Sequence, residues 1–421
     1  MKNEREFGFT TNQLHGSKLP SEPQKNLNTP IYQSNFFPFE DTEHAVRFFT
    51  NQEFAYVSTL ISNPTTTALE QRTAMLEGGK SALATSSGHA AHMIAILSLC
   101  QANDHIVSSS KIFGGTLSQF KDTLQQIGIT HTLVDPSQPK DFAKAIQPNT
   151  KLIFGETLSN PDNCVFPFEE VAAIAKAHKI PLIIDNSLTT PYLCKPIDWG
   201  ANIVTLSTGK YLGGLGQAMG GIIVDADNFD WTHPRFANLK IESQEKIGQT
   251  PFILRARFRL MRDTGACQSP FNSWNTLMGI ETLSLRMECH CRNALQLAKY
   301  LEKHPAISRV VYAGLESHPD FNLALKYLPK GVSGVMGFNV KGGLNAAKSL
   351  VENVKLFRHA FGIGDTKSLI VHPASSLFSN LTPAEMIRVG VTPDFVRISV
   401  GLEDAEDLIW DLNQALAQST N

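Results

Sequence analysis

The sequence predicts an α/β protein built on a mostly parallel sheet, and three observations lead there. Between about residues 66 and 225, short apolar runs alternate with amphipathic stretches at helical spacing. Such alternation gives a parallel sheet covered by helices on both faces. The chain has 421 residues, enough for two or three domains. With 42% hydrophobic and 18% charged residues it can bury a sizeable core, and it is not a disordered chain.

Residues 1–60 read as an extended arm, because Pro, Asn and Gln are frequent and periodicity is poor around Leu19–Pro30. Residues 61–280 hold the sheet. Its strands are expected at Ser81–Thr85, His105–Ser108, Thr130–Val134, Lys151–Gly155, Leu182–Asp185, Ile203–Ser207 and Gly221–Val224. Helices between them are expected at Ala68–Leu76, His89–Ser98, Leu117–Ile127, Lys140–Ile146 and Phe168–His178. Residues 281–421 change pattern and read as a smaller α/β domain. A long helix over Glu281–Lys303 opens it. A strand at Gly334–Val340, a helix at Leu344–Asn353, strands at Lys367–Val371 and Phe395–Val400, and a helix at Glu403–Leu416 follow.

Net charge is −2, which asks for neither nucleic acid nor an anionic membrane. No apolar run has the length of a membrane span. The opening Met1–Phe7 is charged and lacks a signal-peptide core, so a cytoplasmic protein is expected. Six scattered cysteines suggest reduced, buried thiols. Cys289-His290-Cys291 falls inside a helical pattern where adjacent side chains diverge, so no metal is expected there.

Four strand ends carry residues that fit one site, since sites in such sheets lie at the carboxyl ends of strands. Lys210 follows the run Ile203–Ser207 and precedes the Gly213-Gly214 pair, with Thr208 and Gly209 between. A lysine held out of water there is a Schiff-base nucleophile. Gly88 and His89 open an apolar helix after Ser86-Ser87, and helix N-termini bind phosphate. Asn160, in Ser159-Asn160-Pro161, sits where it can bond a phenolate oxygen, or simply shape a turn. Asp185 ends an apolar strand, where a carboxylate needs a partner; a protonated ring nitrogen provides one. Phe113, beside Gly114-Gly115, can lie over a flat ring or belong to the core. The chain contains no P-loop, full dinucleotide fingerprint, zinc motif or Gly-x-Ser-x-Gly elbow.

Taken together these segments resemble the pyridoxal-phosphate enzymes of cysteine and methionine metabolism, and within them the O-acetylhomoserine sulfhydrylases. The likeness runs from Thr29-Pro-Ile-Tyr-Gln to Ile398-Ser-Val-Gly-Leu-Glu, with Gly220–Asp225, Phe229-Asp-Trp, Ser269-Pro-Phe-Asn, Gly364–Leu369 and His372-Pro-Ala-Ser between. The resemblance implies a fold type I transferase with pyridoxal 5′-phosphate joined to Lys210. It implies that Asp185 pairs with the ring nitrogen, Asn160 contacts the 3′ oxygen, and Gly88, His89 and Ser207 hold the phosphate, with Thr208 beside them. Arg397 would clamp the substrate carboxylate bidentately. The implied reaction is γ-replacement on O-acetyl-L-homoserine by sulfide, giving L-homocysteine and acetate in methionine biosynthesis. A γ-lyase, a sulfhydrylase with another sulfur donor, and a weakened member kept as a binding subunit are the alternatives. The family assembles as dimers paired into tetramers, so a homodimer or homotetramer is expected.

The chain departs from the family pattern around the cofactor. Ser58 and Leu60 stand where a tyrosine and an arginine reach the phosphate of the adjacent subunit's cofactor. Phe113 replaces a ring-stacking tyrosine, and Gly209 precedes the lysine where a threonine is usual. Gly362, Leu377 and Phe378 also replace polar residues.

Overall fold

The computed structural model describes residues 6–17, 26–50, 52–239, 248–379, 382, 386–387 and 390–419. Seven strands form one sheet: β1 (Ser81–Thr85), β2 (His105–Ser109), β3 (Thr130–Val134), β4 (Thr150–Glu156), β5 (Leu182–Asp185), β6 (Ile203–Ser207) and β7 (Gly221–Asp225). Their spatial order is β1-β7-β6-β5-β4-β2-β3. β2 to β6 pair in parallel, and β7 runs antiparallel between β1 and β6. Each matches an expected strand to within a residue or so. The reason is local: β5 and β6 are buried along nearly their whole length and carry the unbroken apolar runs that a two-sided sheet demands.

A second sheet is formed by β8 (Ile307–Val311), β9 (Val335–Val340), β10 (Arg358–His359), β11 (Leu369–Val371) and β12 (Phe395–Ser399), in the order β10-β11-β12-β9-β8. All its pairs are antiparallel except β10 with β11. β8 and β10 were not expected. β8 buries only its ends and β10 is two exposed residues, so neither carries an apolar signature. The helix Leu283–Glu302 lies where the long helix was expected. Within it His290 Nδ1 donates to Val400 O at 2.7 Å, so this ring serves the packing against β12.

The arm requires a correction. Residues 1–5, 18–25 and 51 lie outside the described residues, but the rest is not simply extended. It contains the helices Phe9–His15 and Thr42–Phe49, the second capped by Asp41 accepting from His44 N–H at 2.6 Å. Two turns are too short to show helical periodicity against a Pro-rich background. Also unexpected was the helical run from Pro251 to Thr264, with a π-type turn at Ala256–Met261, and the helix Pro270–Ile280. The expected helix Leu117–Ile127 starts earlier, at Gly114, and becomes a π-type turn at Gln119–Leu124. No helix among the described residues is long and apolar enough to cross a membrane, and all six cysteines are free.

Arg257, 1% exposed, stitches three segments to the sheet. It donates to Glu70 Oε2 at 2.7 Å, Ile61 O at 2.8 Å and Ala82 O at 3.2 Å. The second Glu70 oxygen accepts from Ala84 N–H at 2.9 Å. Removing one partner of a buried pair leaves the other charge stranded. Arg257→Met should therefore lose about 3–5 kcal/mol in urea unfolding. An unchanged midpoint would show that Glu70 finds compensation elsewhere.

Candidate active site

The carboxyl ends of β4, β5 and β6 converge on one cavity. In β5, Asp185 sits in register with Glu156 of β4 on one side and Thr205 of β6 on the other. Both Asp185 oxygens are engaged. Oδ2 accepts from His92 Nε2 at 2.9 Å, and Oδ1 accepts from Ser187 N–H at 2.7 Å. The side chain keeps 11% of its surface exposed, which leaves an edge facing the cavity. Burial alone would raise the Asp185 pKa. The His92 hydrogen bond and charge, Lys210 and the Ser187 N–H outweigh it and hold the carboxyl down at about 2.

Glu156 has the opposite fate. Burial first, and then the charge of Asp185, push its carboxyl up to about 8, although Phe113 N–H donates to its Oε1 at 2.7 Å. Two neighbouring carboxyls are thus split into one anion and one acid. Ser187 also joins strand ends, since its Oγ accepts from Ser207 N–H at 2.7 Å.

Lys210 is presented by the connection between β6 and β7. Ser207 pairs with Gly221, and Thr208 N–H donates to Gly220 O at 2.9 Å, closing the base of the loop. Lys210 itself breaks the π-type turn Thr208–Leu212, with φ −98° and ψ −138°. The glycine pair has a specific use here. Gly214 takes φ +69°, and a Cβ on it would strike Arg286. The Arg286 guanidinium lies beneath the turn and donates to Tyr211 O at 2.8 Å and Gly279 O at 2.7 Å. The lysine turn is therefore fixed from below by the long helix Leu283–Glu302.

Around Lys210 the cavity is walled by Phe113, Glu156, Leu158, Asn160, Asp185 and Ser187. The Lys210 amine lies 5.3 Å from the centre of the Phe113 ring, and that ring stacks on His89 at 5.8 Å and 24°. The helix Gly88–Leu99 points its start at this corner. Ser87 Oγ caps it by accepting from Ala90 N–H at 3.1 Å, and Gly88 is so close to β6 that a Cβ would sit 2.8 Å from that of Ser207. Toward the second sheet the cavity widens into a cleft of about 660 Å³ lined by Lys210, Ser207, Phe361, Gly362 and Arg397. Arg397, 1% exposed on β12, donates through Nη2 to Phe361 O at 2.7 Å and Gly362 O at 3.0 Å. Burial lowers its pKa to about 10. Its Nε is buried and has no partner among the described residues.

A catalytic-looking lysine, an ionised aspartate and an arginine-ended cleft at the C-terminal edge of a parallel sheet agree with what similarity to known proteins shows. Residues 10–417 match the family described as Cys/Met metabolism PLP-dependent enzyme. The chain belongs to that family. It is 42% identical to the O-acetyl-L-homoserine sulfhydrylase of Leptospira meyeri, over 98% of this chain and 97% of that one. It is 41% identical to the homocysteine synthase of Schizosaccharomyces pombe, over 97% and 98%. A solved Campylobacter jejuni O-acetylhomoserine (thiol)-lyase, with N′-pyridoxyl-lysine-5′-monophosphate at its position 205, superimposes with a TM-score of 0.93. That pair shares 36% identity over 98% of this chain and all of the other.

Membership of this PLP-dependent family makes pyridoxal 5′-phosphate the cofactor, and the cavity fits it. Asn160 stands in the wall, where its amide N–H can donate to a ring oxygen, and Asp185 offers an anion to a protonated ring. The N-terminal N–H groups of the helix at Gly88 lack intrahelical acceptors, as a phosphate site requires. The sequence-predicted residues Lys210, Asp185, Asn160, Phe113, Ser207, Gly88 and His89 come together here, with Arg397 across the cleft. Thr208 is not among the residues walling this cavity; its hydroxyl is buried beside Gly220. Sequence reasoning gave no role to His92 or Glu156, which the structure places against Asp185. The signals were present: His92 lies one turn beyond Gly88 and His89, and Glu156 ends a strand as Asp185 does.

Glu156 sets a pH dependence. With a folded pKa near 8 against an ordinary 4.5, the native state holds a proton that the unfolded chain releases. Its contribution to stability is therefore fully present below about 4.5, declines as pH rises, and is lost by about 8. Glu156→Gln keeps an acceptor for Phe113 N–H and removes the titration. The variant should gain stability relative to wild type as pH rises through that window, read as the difference in Tm between the two proteins. A constant difference across the range would sink the assignment.

Proposed function

We propose that the protein catalyses γ-replacement on O-acetyl-L-homoserine: acetate leaves, sulfide adds, and L-homocysteine forms. The observation that carries this reading is that Lys210, Asp185 and Asn160 wall one cavity, and that Lys210 also lines the adjoining cleft with Arg397. Near end-to-end similarity to proteins named O-acetyl-L-homoserine sulfhydrylase and homocysteine synthase supports it. We assign residues 61–280 to cofactor binding and residues 281–421 to a smaller domain that brings Arg397. The arm of residues 1–60 exposes Phe36, Val46 and Phe49, apolar surface suited to a second copy in a homodimer or homotetramer. A cytoplasmic location is assigned on the same resemblance.

The roles follow from the geometry. Bound at this wall, pyridoxal 5′-phosphate supplies an electron sink that makes the substrate Cα–H acidic. Lys210 would carry the cofactor and, once released from it, take the Cα proton and deliver it along the chain. Asp185, kept ionised, would hold the ring nitrogen protonated. Asn160 would donate to the 3′ oxygen, and the helix start at Gly88 and His89, with Ser207, would hold the phosphate. Phe113 would cover the ring face, excluding water without adding an acid of its own. Arg397, whose Nε awaits a partner, would bind the substrate α-carboxylate, drawing the γ-acetyl group into the remaining cleft.

Purified protein should be yellow and should release homocysteine from O-acetylhomoserine plus sulfide far faster than it releases 2-oxobutanoate from methionine. Lys210→Ala should abolish the first activity; undiminished turnover would disprove the role given to that lysine. Arg397→Ala should raise KM for O-acetylhomoserine by roughly tenfold to a hundredfold, as expected for loss of a charged hydrogen bond. An unchanged KM would place the carboxylate elsewhere.

A further inference from the structure

The two carboxyls at the ends of β4 and β5 pose a problem that the cofactor site leaves open. They sit side by side in register, and two such groups do not both ionise. A ring nitrogen can be held protonated only by the one that stays charged. We propose that His92 is a positioning residue: its imidazole keeps the Asp185 carboxylate ionised and turned into the cavity, so that Asp185 and not Glu156 meets the cofactor ring. The inference rests on the reading of Asp185 as the ring's partner.

The geometry is one-sided. His92 Nε2 reaches Asp185 Oδ2 at 2.9 Å, whereas among the described residues Glu156 accepts from the Phe113 backbone N–H and from no side chain, with Lys210 the cation near both carboxyls. The imidazole is clamped rather than loose. It is 3% exposed, its Nδ1 faces Thr116 Oγ1 at 3.4 Å, and its edge packs on Phe154 with ring centres 5.2 Å apart. With a carboxylate as acceptor, Nε2 must be the donor, which fixes the tautomer's proton at that nitrogen. The other titratable groups facing Asp185 come from each neighbouring element. Lys210 lies on the β6–β7 connection, Glu156 on β4, and His89 on the same helix as His92. Asp162, beyond Glu156, is already paired with Lys111 at 2.7 Å. Lys210 is committed to the cofactor on the proposed reading, which leaves His92 as the group that selects between the acids.

The test titrates pyridoxal 5′-phosphate into cofactor-stripped wild type, His92→Phe, His92→Gln and Asp185→Asn proteins. Visible absorbance and Kd are followed from about pH 8.5 down to the lowest pH at which circular dichroism shows each protein folded, because a carboxyl held down at about 2 takes up its proton only on the acid side. His92→Phe should bind roughly tenfold more weakly, and the acid limb of its binding curve should move up by about one pH unit, because Asp185 now takes up a proton earlier. His92→Gln, whose amide can donate to the same oxygen, should restore affinity near neutral pH to within about threefold. If folded His92→Phe keeps the wild-type affinity and acid limb while Asp185→Asn loses cofactor, His92 is only a core residue and this inference fails alone. If Asp185→Asn also binds normally, the reading of Asp185 fails instead. Should His92→Phe prove misfolded by circular dichroism, His92→Ala takes its place in the same comparison.

Discussion

A charged carboxylate at the end of a buried strand is the constraint on which the site depends. β5 delivers Asp185 to the centre of a seven-stranded sheet, where an unpaired anion is costly. Two donors on its own chain lower that cost before any cofactor arrives, and each comes from a different element. The donors decide more than ionisation. His92 requires the helix Gly88–Leu99 to lie across the strand ends, and the same placement brings its N-terminus to the corner where a phosphate would sit. On the proposed reading, holding the ring nitrogen and holding the phosphate are consequences of one helix position.

Lys210 depends on the opposite kind of support. It stands in a loop with non-helical dihedrals, held within the loop by backbone bonds such as Gly214 N–H to Lys210 O at 2.8 Å. Further rigidity comes from underneath, where Arg286 gathers the carbonyls of Tyr211, Leu212 and Gly279. That contact links the cofactor lysine to the helix Leu283–Glu302, which also packs on β9 and, through His290, on β12. Arg397 lies on β12. The amine that would remove a proton and the guanidinium that would orient the substrate are therefore referenced to one helix, and their separation across the cleft is set by packing rather than by either loop.

This mixture explains what was legible in the sequence. The sheet was, because strands buried on both faces write themselves as apolar runs, and so were Lys210, Asp185 and Asn160, because a polar residue at the end of such a run stands out. β8 and β10 were not, since one buries only its ends and the other hardly pairs. The helices of the arm are too short to show a period. His92 left only a weak signal, its place one turn beyond Gly88 and His89, because a histidine in an apolar helix looks like core until the strand across from it is known. Thr208 shows a different limit of the sequence: its neighbour Ser207 lines the cleft, whereas the Thr208 hydroxyl is buried beside Gly220.

The phosphate end carries a different balance of forces from the one the family resemblance implies. Leu60 offers no charge, and Ser58 is engaged locally, accepting from Leu60 N–H at 3.3 Å. Two polar residues that could stand in for an arginine are engaged elsewhere: Thr59 donates to Ser34 O at 2.6 Å, and Lys111 is held by Asp162. A charged hydrogen bond is worth about 1.5–3 kcal/mol, so its loss weakens binding by roughly tenfold to a hundredfold. Helix N–H groups and hydroxyls recover part of that, but they do so without a full charge. On the proposed reading the hold on the cofactor would then rest more on the ring end, at Lys210 and Asp185. A chain that relies on that end has more to lose from any change in the protonation of Asp185. That makes the His92 contact weigh more here than it would beside an arginine-bound phosphate.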